Sequence, residues 1–219
     1  EIMRSDWSSD VCSSDLESST VTYPTGEPYT LVPIKIDISV IESLDPDKIY
    51  FIPIAIADST PYPIVKKKGN ALLQIQKKNK YTSSAEPASY NASGYEGSGY
   101  FVITKTMVPL TKNRVRINIG TKRLPAEPEN QPDFIKKNTI VIEVADDNSL
   151  TVEPYDPEEM EVETVDVKVA HPGDNAYALY NNRLDPTTTT FCVCYKYRLK
   201  TGSWTEVREA IRLPVIVIE

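Results

Sequence analysis

The chain has 219 residues, 40% of them hydrophobic and 25% charged, with a formal net charge of −7. That is an ordinary globular composition, enough for one large or two small domains. The acidic balance argues against a nucleic-acid partner, which needs a basic surface, and no apolar run approaches the roughly eighteen residues of a membrane span.

Residues 1–16, EIMRSDWSSDVCSSDL, show neither strand nor helix period. The string from Asp6 to Leu16 looks like one reading frame of a sequencing-library adaptor, so the segment is expected to be foreign and disordered. Trp7 and Cys12 then leave the argument, and the true N-terminus is expected to be missing. The abundance of Pro (17) and Tyr (13) over Gly (8) and Phe (4), with many Val, Ile and Thr, favours strands and rigid turns.

Val32, Ile34, Ile36, Ile38 and Val40 alternate with polar residues and read as a half-buried strand. After a turn at Ser43–Lys48, Ile49–Ala57 is apolar on both faces, as a central strand would be. Pro53 inside it marks a bulge or a position whose missing N–H points away from a partner. Ala71–Gln76 is a third strand. Three strands make only part of a sandwich, so residues 17–80 read as a partial N-terminal β-sandwich domain with an exposed apolar face around Val32–Val40 or Ile49–Ala57. Residues 81–98 are Ser/Gly/Ala-rich and read as a linker. Residues 99–219 form a second antiparallel β domain, sandwich or barrel-like. Its strands are Phe101–Leu110, Arg114–Gly120, Thr139–Val144 and Ser149–Tyr155, the last two joined by a hairpin at Ala145–Asn148. A Pro-rich loop spans Arg123–Asp133. In Met160–Ala170 the apolar phase shifts between Val162 and Val165, which implies a bulge near Glu163–Val165 or two short strands. In the last hairpin Phe191, Val193, Tyr195, Tyr197 and Leu199 share a phase with Val207, Ile211 and Leu213, while Trp204, Glu206, Arg208 and Arg212 take the other. No sustained helical stripe with caps occurs, so the fold reads as all-β.

No hydrolase, nucleotide-binding, zinc or redox motif is present, and His171 is the sole histidine. Cys192 and Cys194 alternate on one strand face, about 6.7 Å apart with parallel Cβ vectors, a poor disulfide geometry. They read as free, small apolar residues, and no metal or other cofactor is expected. The acidic run Glu158, Glu159, Glu161 and Glu163 reads as a solvated face rather than a carboxylate pair. Sugar binding needs an exposed ring beside amides or carboxylates. Candidate rings are Trp204, Tyr95, Tyr100, Tyr177 and Tyr180, each with packing as its alternative. Tyr177 and Tyr180 lie in an Asn/Asp-rich loop, Asp174–Asp185, whose oxygens can meet sugar hydroxyls, hold calcium or make turns. Lys66, Lys67, Lys68, Lys77, Lys78 and Lys80 form a basic cluster suited to an acidic glycan or simply to a charged hairpin tip.

KIYFIPIAIADSTPYPI (Lys48 to Ile64), through Tyr50, Pro53, Ile54 and Ile56, resembles the Y-x-L/I-P-I-x-I core of an N-terminal domain of unknown function in Bacteroidetes surface lipoproteins. TIVIEVADDNSLTVEPY and FCVCYKYRLKTGSWTEVREAIR, with Tyr195, Tyr197, Trp204, Glu209 and Arg212, are similar to its companion C-terminal domain. The resemblance covers about residues 20–213. It implies an outer-membrane lipoprotein at the cell surface, associated with polysaccharide import, with an immunoglobulin-like first domain. Such proteins are thought to bind glycans or to act as adhesin-like scaffolds. The sequence departs from the pattern at its front, where the lipid-bearing Cys and the first half of the domain are missing, and Cys12 is no substitute. The expectation is a non-catalytic module that binds an oligosaccharide, with an outer-membrane transport complex as a second partner and membrane contact only through a lipid anchor outside this sequence. The alternative is a structural or adhesin-like protein-binding module, and a less favoured one is an accessory piece of a glycoside hydrolase.

Overall fold

A computed structural model describes residues 2–3, 14–16, 20–22, 26–27, 29–56, 59, 63–65 and 67–214. The chain forms two compact units, Glu1–Lys77 and Lys78–Glu219. Strands hold 44% of the described residues and helices 11%, so the protein is all-β.

In the first unit β1 (Ile2–Met3), β4 (Tyr50–Ile56) and β5 (Asn70–Ile75) make an antiparallel sheet in the order β1-β4-β5, and β2 (Ser14–Leu16) pairs with β3 (Ile34–Ile36). Disorder was the expectation for residues 1–16; the two segments described there are paired strands, and the others, Trp7 and Cys12 among them, lie outside the described residues. The expected strand over Val32–Val40 stops at Ile36. Asp37 accepts a backbone hydrogen bond from Val40, and α1 (Ile38–Ser43) follows. Alternation alone did not register this turn, because Ile38 and Val40 suit either period. Pro53 sits inside β4, opposite Leu72. Ile56 donates to Gly69 O on the β5 side, so Pro53 turns its nitrogen to the other side, where β1 reaches only Ala55 and Ile56. Apolar side chains stand exposed on this sheet, Phe51 at 52% and Leu72 at 67%.

In the second unit a nine-stranded antiparallel sheet runs β10-β9-β8-β7-β6-β14-β13-β11, with β12 also on β13. The strands are β6 (Ala88–Glu96), β7 (Gly99–Pro109), β8 (Arg114–Asn118), β9 (Thr139–Val144), β10 (Leu150–Pro154), β11 (Met160–Thr164), β12 (Arg183–Asp185), β13 (Thr190–Leu199) and β14 (Thr205–Arg212). The sheet curls until its ends nearly meet. Val152 N–H donates to Thr164 Oγ1, which donates back to Val152 O, and Ser149 bridges Arg183. Closure removes exposed edges and makes one face an interior. That interior holds Tyr90, Phe191, Met107, Ile117, Ile140 and Ile211, all essentially inaccessible. Phe191 meets Tyr81 and Tyr90 edge-on at 5.1 and 5.9 Å.

The linker expected over 81–98 is a correction. Ala88–Glu96 within it form β6, between β7 and β14 in the middle of the sheet. Small residues on this strand answer a packing need: a Cβ on Gly94 would lie 2.0 Å from Arg208 O, so only glycine allows β14 so close. Glu-Gly-Ser-Gly is the tip of the β6–β7 hairpin, with Glu96 opposite Gly99 and Gly97 at φ +58°. The phase shift at Val165 is not a bulge within a strand. β11 ends at Thr164, and the chain leaves the sheet into α3 (Val167–Ala170). The Pro-rich segment contains a 3-10 turn (Pro128–Asn130) and runs into α2 (Gln131–Asn138), each with proline in its first turn, where no N–H is needed. No helix among the described residues is long and apolar enough to cross a membrane.

Candidate functional site

Side chains of β7, β6, β14 and β13 alternate between the barrel interior and its outer face, and register aligns the outer ones in rows. One row is Tyr100, Tyr95, Arg208 and Cys194; the next is Val102, Ser93, Ala210 and Cys192; a third is Thr104, Asn91, Arg212 and Thr190.

The first row is extended into a stack by the loop of residues 165–182. Tyr100 meets Tyr95 edge-on at 5.2 Å. The Arg208 guanidinium lies 4.4 Å from the Tyr95 ring and 4.0 Å from the Tyr177 ring. Tyr177 in turn stacks on His171 at 3.7 Å. Glu206 ties the far end: Tyr177 Oη donates to Oε1 at 2.8 Å, and His171 Nε2 lies 3.1 Å from Oε2. Burial and then the bond to Glu206 push the Tyr177 phenol up to about 12.

The same loop covers the outer face of β13. Val165 and Tyr180 pack on Cys194, which is why it is buried although it points away from the barrel interior; Cys192, also buried, lines the groove. Burial pushes the Cys194 thiol up to about 12. Asn182, at φ 53°, pins the loop: its Oδ1 accepts from Cys194 N–H and its Nδ2 donates to Val165 O, both at 2.7 Å. Beyond the covered part lies a groove of about 770 Å³. Its floor is Asn91, Ser93, Val102, Ala210 and Arg212; its wall is Ala178, Leu179, Asn181, Arg183, Asp185 and Thr188. Apolar patches beside amides, hydroxyls and a guanidinium suit a ligand with both C–H faces and hydroxyls.

The interior carries a polar network that the sequence reading missed. Lys105 Nζ donates to Glu209 Oε2 at 2.5 Å and to Asn118 O at 2.8 Å. Tyr195 Oη donates to Glu209 Oε1 and accepts from Gly120 N–H. Nearby, Glu96 accepts from Tyr197 Oη and from the hydroxyl and N–H of Thr121. Burial pushes the Glu96 carboxyl up, but the bonds from Thr121 and Tyr197 outweigh it and leave it below the ordinary range. Burial likewise lowers the Lys105 ammonium, against the pull of Glu209. A signal existed: Lys105 falls in phase with Phe101, Ile103 and Met107, and Glu209 with Val207 and Ile211.

Of the five candidate rings, Tyr95, Tyr100 and Tyr177 come together in the stack, and only Tyr100 is widely exposed, at 62%. Tyr180 is buried at 8%, packed with Val165 on Cys194, so it supports rather than forms a platform. Trp204 stands apart and half-buried. Lys196 and Arg198 each lie 4.8 Å from its ring, and these cations pair with Glu163 and Glu161 at 2.7 Å. Glu161 and Glu163 thus belong to a solvated ion-pair ladder. Asp174 and Asp185 brace their own turns, accepting from Ala176 and Thr187 N–H. Among the described residues no group of three or more His, Cys, Asp or Glu is placed to hold a metal. Within the lysine cluster Lys77 is buried and donates to Glu42 O, while Lys66 lies outside the described residues.

No curated protein matches the chain. A multidomain protein including DUF1735 from Bacteroides ovatus is similar in fold, at TM-score 0.50 and 15% identity, over 91% of this chain and 68% of that one. A structural-genomics protein of unknown function from Bacteroides ovatus aligns at TM-score 0.45 and 15% identity over 82% of this chain, which spans 61% of that protein's length. Another protein of unknown function from the same organism aligns at TM-score 0.46 and 10% identity, over 88% of this chain and 65% of that one. Residues 69–212 match a family model described as "-like, C-terminal", which takes in the whole barrel sheet. The chain belongs to that family of C-terminal domains.

Proposed function

We propose that this chain is a non-catalytic glycan-binding module. The observation that carries the reading is the exposed Tyr100, braced by Tyr95 and Arg208, beside a groove lined with Asn91, Ser93, Asn181 and Thr188. A sugar stacks its C–H face on such a ring while amides and hydroxyls take its hydroxyl groups. Asp185 is the sole carboxylate among the described groove residues, and Thr187 and Thr188 already bond it, whereas a glycosidase needs two facing acids. Carriage at the outer-membrane surface by a lipid anchor, beside a polysaccharide transport complex, is supported by the sequence resemblance.

Affinity electrophoresis of the chain through gels containing different polysaccharides tests the proposal. Tyr100→Ala should weaken retention about tenfold or more, the range for loss of a stacking anchor, while Trp204→Ala should change it little. Lack of retention by the folded chain on every glycan would overturn the reading.

One observation favours a protein partner instead. β5 is the outer strand of its sheet, and its Leu72 and Leu73 are exposed, the form of an edge that accepts an added strand. A pull-down with β5 variants separates the two readings.

A further inference from the structure

We infer that the groove selects an acidic oligosaccharide, with the Arg212 guanidinium meeting a sugar carboxylate. The inference rests on the glycan reading above. Arg212 is exposed in the groove floor, opposite Asn91 on β6 and Thr190 on β13, and its side chain has no ion pair or hydrogen bond among the described residues. Of the other charged groups there, Arg183 donates to Asp147 O at 2.7 Å and so is held in the wall. Asp185 uses Oδ1 on Thr187 N–H and Oδ2 on Thr188 Oγ1. Those bonds keep its carboxyl below the ordinary range and occupy both its oxygens on its own turn; it shares the row of Arg212, two strands away across Thr190. Two guanidinium groups against one carboxylate leave the groove positive within a chain of net charge −7. A long polyanion is disfavoured by the whole chain, but a local carboxylate is welcomed by one planar fork, which pairs with it bidentately.

Distance sets the size of the ligand. Arg212 lies four residues along β14 from Arg208, whose row ends at Tyr100 two strands away. By strand geometry the ring and the guanidinium are on the order of 15 Å apart. One sugar cannot reach both, so the ligand is an oligosaccharide with an apolar face at Tyr100 and a uronate at Arg212.

Calorimetry of the full chain against trigalacturonate and its fully methyl-esterified form tests this directly. The acid should bind at least tenfold more tightly than the ester, and the advantage should shrink with added salt. Arg212→Gln should abolish the difference by bringing acid binding down to about the level of the ester, whereas Tyr100→Ala should weaken both forms by a similar factor and keep the difference. Equal binding of acid and ester, or an Arg212→Gln variant that keeps the preference, overturns the acidic selection and leaves glycan binding standing. Failure of both probes, together with every neutral oligosaccharide, overturns the two readings at once.

Discussion

On the inner face of β7, β6, β14 and β13, Lys105, Glu209 and Tyr195 bond one another out of reach of water, and Glu96 and Tyr197 form a second set. On the outer face of the same strands, Arg212, Asn91 and Ser93 border an open groove, and Tyr100 stands exposed near it. Solvation explains the contrast. A buried charge must be paired at once or cost several kcal/mol, so the inner groups are spent on folding. Outer groups are held by water, which a ligand can replace. Inner substitutions should therefore read out in stability, and outer ones in binding.

Lys105→Met is the strongest challenge to that contrast. It leaves Glu209 buried without its cation and should cost about 3–5 kcal/mol in chemical denaturation. Adding Glu209→Leu should recover most of the loss, because an apolar pair needs no partner. An unaltered midpoint for the single variant would mean that water reaches the barrel interior. Asn182→Ala comes next and bridges the two faces. It removes the bonds to Cys194 and Val165 and places alanine at positive φ, a loss of about 2–3 kcal/mol. Since this residue pins the groove wall, glycan affinity should fall together with the melting temperature.

A smaller effect follows from Glu96. Its folded pKa lies below the ordinary 4.5, so its stabilising contribution is complete above that value and drains away as pH falls through the lower, folded one. Melting curves taken from pH 6 to pH 3 should show an acid limb that is shallower in Glu96→Gln than in the parent; identical limbs would place the acid sensitivity elsewhere. The smallest stability effects belong to Tyr100→Ala and Arg212→Gln, within about 0.5 kcal/mol, as is usual for exposed sites. A large drop in their melting temperatures would erase the distinction between the faces.

The last hairpin was legible in the sequence because its alternation is unbroken: Phe191, Val193 and Tyr195 face inward, as their phase requires. The β9–β10 hairpin was legible too, for Ala145–Asn148 turns the chain with Asn148 at φ 65°. β6 was not, since Ala-Ser-Tyr-Asn-Ala-Ser-Gly-Tyr carries linker composition, and only the closeness of β14 explains why small residues stand there. Helix α1 escaped because Ile38 and Val40 continue the alternation of β3. Tyr95 and Tyr100 were singled out as aromatic residues, but their cross-strand pairing was hidden while β6 was read as a linker.

Strand alternation, the β9–β10 turn and the all-β class could be read from local sequence, since periodicity and turn preference are local properties. Tertiary structure alone decided what each phase faces. Curling of the sheet turned the Lys105 and Glu209 phase into an interior, and the loop at 165–182 buried Cys194 and Tyr180 while leaving Tyr100 and Arg212 exposed. Burial depends on what packs over a side chain, and these partners lie many residues away in the chain.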